Sequence, residues 1–221
     1  MLARSLDLTR IYNSGHDAIA LPRDHYELLK DCVQGLEWAP DPDGIYARIP
    51  SYTLANPSMV SEDKFKQESF LNSHSLITSP APLRHRVEQL LSDERIMGNW
   101  LIAHTSVLRF ISVWDGAEDL PWHWDGPSGA DFFFLIYLNE KMGWNDENGG
   151  HLSTGRRDLA GNYLHVDSEE VEHLATMAPA SRTLVCCNNQ NPSFVHKVSP
   201  LSGNHERTVL MIGFDIERLK T

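Results

Sequence analysis

The chain has 221 residues, 41% of them hydrophobic and 22% charged, which is the composition of an ordinary globular protein with enough chain for one well-buried core. Its formal net charge is −11, with 19 basic residues spread among 30 acidic ones, and this excludes the clustered Lys and Arg by which proteins hold nucleic-acid phosphates. No apolar run approaches the roughly 20 residues that span a bilayer, so neither a nucleic-acid nor a membrane partner is expected.

The N-terminal "MLARSLDLTRIYNSGHDAIA" has no continuous apolar core and no small-residue cleavage signature, so it does not read as a signal peptide. Three cysteines are too few for a disulfide framework and odd in number, which predicts a reducing, cytoplasmic setting. Eleven histidines is a high count and invites a search for metal ligands.

The first hundred residues look helical and loop-rich. "LPRDHYELLKDCVQGLEW" predicts a helix, with Pro22 near its start and Gly35 near its end. Residues 36–80 are rich in turn formers, and "GIYARIPSYTL" within them holds a short strand. "APLRHRVEQLLSDERIMGNWL" carries apolar residues at helical spacing with no internal proline, which predicts a second helix.

After residue 105 the texture changes. "TSVLRFISVW", "ADFFFLIYLN", "SRTLVCCN", "FVHKVS" and "RTVLMIGFDI" are short runs rich in β-branched and aromatic residues, separated by turn sequences such as "DGPSG", "NDENGG" and "NNQNPS". Short strands with no helical pattern between them predict an antiparallel sandwich or barrel. The adjacent Cys186 and Cys187 would point to opposite faces of one such strand and are read as core residues.

The chemistry concentrates in "LPWHWDGPSGADFFFLIYLN". His123 and Asp125 are two residues apart, which on a strand places both side chains on one face. Imidazole nitrogen with carboxylate oxygen suits a divalent first-row metal. His196, inside the late β run of "NPSFVHKVSP", is the best candidate for a third ligand. Arg207 follows it and opens "RTVLMIGF", where a half-buried guanidinium needs an anion from the protein or from a ligand. Two histidines and one carboxylate on one face of a metal form the facial triad of non-haem Fe(II) oxygenases, which leaves coordination positions open.

Taken in order, "SVLRFISVWDGAEDLPWHWDG", "FFFLIYLNE", "ENGGHLSTG" and "FVHKVSPLSGNHERTVLMIGF" resemble the catalytic core of Fe(II)/2-oxoglutarate-dependent dioxygenases, in the prolyl-4-hydroxylase-like branch. The resemblance covers about half of the chain. It implies a mainly β fold with N-terminal helices around a double-stranded β-helix (jelly-roll, cupin-like) core. The implied organisation is one domain over 1–221, with a helical and loop-rich part at 1–104 and the catalytic core at 105–217. His123, Asp125 and His196 match the family's iron ligands. Arg207 matches the arginine that pairs with the distal carboxylate of 2-oxoglutarate, and Tyr137 a tyrosine that hydrogen-bonds the same carboxylate.

The implied cofactors are Fe(II), 2-oxoglutarate and O2, with ascorbate as a stimulant. The implied reaction hydroxylates an unactivated C–H and releases succinate and CO2. Retention of Asp125 favours hydroxylation, desaturation or ring formation over halogenation. The sequence departs from familiar members at Gly213, where many carry a bulky aromatic, and at Trp114, which replaces a tyrosine near the co-substrate.

The expected substrate is a small molecule, an amino acid or related metabolite. A protein or peptide prolyl-type side chain is the alternative. A Zn(II) hydrolase or isomerase with the same triad, and a non-catalytic binding domain on the same fold, are the readings from other classes. His151, Arg109 and Arg156 are further candidates for the pocket. Trp122 and Trp124 are expected to point away from the metal, and "EEVEH" is expected to be a solvated acidic face.

Overall fold

The computed structural model describes residues 4–41, 47–54, 79–113, 120–125, 130–139, 144–158, 166, 168–202 and 205–217, and within the strand Leu101–Val113 the side chain of residue 102 only. Trp114 and the side chain of Arg109 therefore lie outside the described residues.

In chain order the elements are α1 (Leu8–Ser14), β1 (His16–Ala20), α2 (Arg23–Gln34), β2 (Trp38–Ala39), β3 (Ile49–Pro50), α3 (Ala81–Leu91) and α4 (Glu94–Met97). There follow β4 (Leu101–Val113), β5 (Leu120–His123), β6 (Phe132–Tyr137), β7 (Leu152–Arg157), β8 (Val171–Met177), β9 (Thr183–Asn188), β10 (Phe194–Val198) and β11 (Arg207–Glu217). Two antiparallel sheets carry the fold, ordered β1-β9-β6-β11-β4 and β5-β10-β7-β8, with β2-β3 as a separate hairpin. This is the jelly-roll core the sequence predicted, with helices covering one sheet. No helix among the described residues is long and apolar enough to cross a membrane.

The strand β6 shows how the sequence builds the layers. "FFFLIY" is apolar at every position because the strand is covered on both sides. Phe132, Phe134 and Ile136 join Leu29, Leu83, Leu90 and Ile96 in a core between the five-stranded sheet and the helices. Phe133 and Tyr137 join Leu152, Val185 and Val209 in a second core between the sheets. Each such side chain contributes roughly 1.5–3 kcal/mol by leaving water. Cys186 and Cys187 divide between the same two cores, as the period of a strand requires, and all three cysteines are free thiols.

The helix α2 begins after Pro22 and ends at Gly35, as its sequence predicts, and buries His25, Tyr26 and Leu29 on one side. The Tyr26 hydroxyl donates to the Asn139 carbonyl just past β6, tying helix to sheet. The second predicted helix is divided into α3 and α4. Asp93 makes the break: its carboxylate caps α4 by accepting the Arg95 amide at 2.8 Å, and it also lies 2.7 Å from His25 Nε2. A side chain that satisfies the first amide of a new helix stops the old one.

Three strands escape the sequence reading, one of them the two-residue β2. The first hundred residues are not only helix and loop, because "HDAIA" forms β1 and pairs with β9 along its whole length. Its alternation is interrupted by Asp17, a fully buried carboxylate held at 2.6 Å by each Nη of Arg4. "VEHLATM" forms β8, paired with β7, and its Glu172 and His173 face solvent. The sequence around 44–54 yields only the two-residue β3 among the described residues.

Candidate functional site

The strand β5 lies antiparallel to β10, with His123 and His196 as direct partners. Partners across a ladder project to the same face, so the two imidazoles meet with ring centroids 4.1 Å apart. The sequence expectation put His123 and Asp125 on one strand face. The structure brings the two together, although β5 itself ends at His123 and Asp125 lies two residues beyond it. Asp125 Oδ1 lies 3.7 Å from His123 Nε2, and Oδ2 lies 3.7 Å from His196 Nε2. These separations are too long for hydrogen bonds. All three ligand atoms lie within 4.8 Å of one another, and no other such group occurs among the described residues.

The protonation pattern suits a cation. His123 Nδ1 lies 2.7 Å from the Pro121 carbonyl, which can only accept, so Nδ1 carries the proton. That leaves the Nε2 lone pair aimed at the other two residues, the outer hydrogen bond that orients a metal-bound histidine. Burial, and next the nearby His123, push His196 down to about 4, against the opposing pull of Asp125. His196 is therefore neutral at ordinary pH, the form that binds metal.

From the triad a pocket of about 110 Å³ runs between the sheets to Tyr137 and Arg207. Its walls are apolar, with Leu152, Val198 and Val209 among them. Arg207 opens β11 and is buried, with Nη1 donating to the Gly150 carbonyl at 2.7 Å. Tyr137 ends β6 opposite Val209, so its ring and Arg207 are diagonal neighbours on one face. The Tyr137 hydroxyl is buried and has no hydrogen-bond partner among the described residues. Burial pushes it up to about 12, while the Arg207 charge pulls the other way. A buried donor without a partner costs roughly 1–3 kcal/mol, so the pocket is shaped for an acceptor at this end.

The Gly149-Gly150 corner sets the position of Arg207. Both glycines have positive φ, 68° and 66°, and a Cβ on Gly149 would run into the Pro200 carbonyl. The bridge from Gly149 to Leu201 holds this corner against the segment between β10 and β11. Only glycine lets the two loops approach so closely and deliver the Gly150 oxygen to the guanidinium.

The remaining candidates separate. His151 does not line the pocket: its Nε2 faces Asp146 at 3.3 Å. Trp122 packs on the outer face of the smaller sheet under Lys197, 5.0 Å from the ring centroid. Trp124 donates to the Asn189 carbonyl at 2.9 Å. Both tryptophans point away from the triad, as strand alternation predicts. His173 bonds Thr176 and forms no metal-ligating group with Glu169. Gly213 faces Phe133, whose ring lies 5.3 Å from His196, so the missing side chain is one beside the triad. Sequence reading missed the walls Leu152, Val198 and Val209, although their alternate positions on β runs carried the signal.

No family model and no curated protein matches this sequence. Among solved structures, the chain is similar to a prolyl hydroxylase from Trichoplax adhaerens in complex with a hypoxia inducible factor oxygen degradation domain peptide fragment. That match has a TM-score of 0.51 at 16% identity and covers 93% of this chain and 86% of the other. A prolyl-4-hydroxylase from Pseudomonas putida aligns at a TM-score of 0.49 and 18% identity, covering 93% and 95% of the two chains. A 2OG-Fe(II) oxygenase family protein from Burkholderia pseudomallei aligns at 0.49 and 14%, covering 93% and 88%. At these identities the likeness to the Trichoplax protein is one of fold.

Proposed function

We propose that this chain is an Fe(II)- and 2-oxoglutarate-dependent dioxygenase of the prolyl-4-hydroxylase-like branch that hydroxylates a small molecule, an amino acid or a related metabolite. One observation carries the proposal: a two-histidine, one-carboxylate triad and a buried Arg207–Tyr137 anion site share a single pocket. A Zn(II) hydrolase has no use for the second feature, and a binding domain has no use for the first.

The residues fit the cofactors. His123, Asp125 and His196 would hold Fe(II), with His123 fixed in its metal-binding tautomer by Pro121. Arg207 would take the distal carboxylate of 2-oxoglutarate, and the otherwise unpartnered Tyr137 hydroxyl would donate to it. Once bound, the iron and 2-oxoglutarate supply the oxidising chemistry, in which O2 is consumed, succinate and CO2 leave, and a substrate C–H becomes C–OH. The protein's own part is to bind, orient and exclude. Phe133, Leu152, Val198 and Val209 keep water from the space between the two polar ends. The N-terminal part works with the core as one domain in this proposal, supported by the pairing of β1 with β9.

A second reading, a peptide prolyl hydroxylase, is favoured by the peptide bound to the Trichoplax protein. The test is succinate release and oxygen uptake with Fe(II) and 2-oxoglutarate, screened over free amino acids, small metabolites and proline-containing peptides. Release that requires both additions and is lost in His123→Ala supports the proposal. Iron binding and succinate release that survive His123→Ala overturn it.

A further inference from the structure

We propose that Arg156 binds an anionic group of the substrate, so that the molecule oxidised is a small carboxylate-bearing compound rather than an internal residue of a peptide. This rests on the function proposed above and narrows its substrate class.

The placement follows from register. Arg156 pairs with Phe194, Thr154 pairs with His196, and Leu152 pairs with Val198. Leu152 and Val198 line the pocket on the Arg207 side of His196. Arg156 and Phe194 therefore lie on the same inner face but on the opposite side of His196. At about 3.3 Å per residue, they sit roughly 7 Å further along the strands. Arg207 lies on one side of His196 and lines the triad pocket, while the exposed Arg156 lies on the other side, at the Phe194 end of the strands and outside the residues that line that pocket.

Arg156 is also presented for a ligand. Its guanidinium lies over the Phe194 ring, 5.5 Å from the centroid, and Nη2 donates to the Asn13 carbonyl at 2.6 Å. Phe194 is itself buried against Gly15 at the α1–β1 corner, so the platform is fixed. These two contacts hold the plane while the other N–H donors stay available. No carboxylate of the described residues pairs with Arg156, whereas Arg4, Arg10, Arg23, Arg48 and Arg95 each pair with one. Arg157, by contrast, is buried on the other face of β7 and donates from Nε to the Pro192 carbonyl at 3.1 Å.

The test is calorimetric titration of the Mn(II)-loaded protein, without O2 and with saturating 2-oxoglutarate so that Arg207 is occupied. The probes are free L-amino acids, their carboxamides and a peptide with an internal proline. The expected result is a free acid that binds about tenfold or more tightly than its carboxamide, the size of one charge-assisted contact. In Arg156→Gln that ratio falls to below about threefold, with melting checked separately. If Arg156→Gln does not fold, the acid-against-carboxamide contrast in the wild type still decides. Equal binding of acid and carboxamide, a ratio that persists in Arg156→Gln, binding of the peptide alone, or binding of no probe overturns the inference. If 2-oxoglutarate itself does not bind the metal-loaded wild type, the proposed function falls with it. If 2-oxoglutarate binds and the contrast is missing, only the role of Arg156 falls.

Discussion

His123 and His196 are direct partners across the β5–β10 ladder, and their rings meet at 4.1 Å although 73 positions separate them in the chain. The relationship is a matter of register. A slip of one residue between β5 and β10 would turn one imidazole to the outer face, where Trp122 and Lys197 pack.

Loss of any of the three side chains is expected to remove the metal. Changing an outer partner of a metal-bound histidine costs about 10–100-fold in affinity, so removal of a ligand exceeds that. His123→Ala, Asp125→Ala and His196→Ala are each expected to weaken Fe(II) or Mn(II) by more than about a hundredfold in an anaerobic titration. A triad variant that binds within threefold of the wild type would show that the residue is no ligand.

Tyr137→Phe is expected to act with opposite signs on stability and on binding. The hydroxyl is buried with no partner among the described residues, so its removal relieves a cost of roughly 1–3 kcal/mol and raises the melting temperature of the ligand-free protein. The same change removes a hydrogen bond to a carboxylate and is expected to weaken 2-oxoglutarate about tenfold or more. A purely structural tyrosine would lower the melting temperature and leave the affinity alone.

Gly149→Ala is expected to damage the co-substrate end without touching the triad. The added Cβ meets the Pro200 carbonyl, at a φ of 68° that non-glycine residues rarely adopt. Strain of this kind costs on the order of 1–3 kcal/mol. The Gly150 oxygen that holds Arg207 is displaced with it. Thermal melting and 2-oxoglutarate titration should both move, while the metal titration stays near wild type.

Metal-free protein is expected to lose stability as pH falls. Burial lowers the pKa of His16 and of His196, so the unfolded chain takes up these protons first. Their contributions are complete above the ordinary histidine value near 6.5 and are lost below it. The carboxylates of Asp93 and Asp17 are also held low, Asp93 first by its hydrogen bonds from Arg95, Asp17 by Arg4 against the cost of burial. Their contributions are present above the usual carboxylate range and are lost as pH falls through and below it. Melting temperatures measured from pH 8 to pH 3 should therefore fall in two stages. A curve that is flat between pH 7 and pH 5 would contradict the lowered values of both His16 and His196.

The sequence by itself singled out the residues proposed to carry the chemistry. His123, Asp125, His196 and Arg207 stand out because polar groups inside β-rich runs need partners, and their order matches one family of cores. It also determined the β6 strand, whose unbroken apolar run has to be covered on both faces. Tertiary structure decided what no local pattern encodes. β1 and β8 carry Asp17, Glu172 and His173 among few apolar residues, so they become strands only because β9 and β7 offer ladders to pair with. Asp125 reaches the triad from two residues beyond the end of β5, whose last residue, His123, is the partner of His196. The burial of the Tyr137 hydroxyl without a partner, and the placing of Arg207 and Arg156 on opposite sides of His196, are set by register across two sheets. Register depends on contacts between residues far apart in the chain.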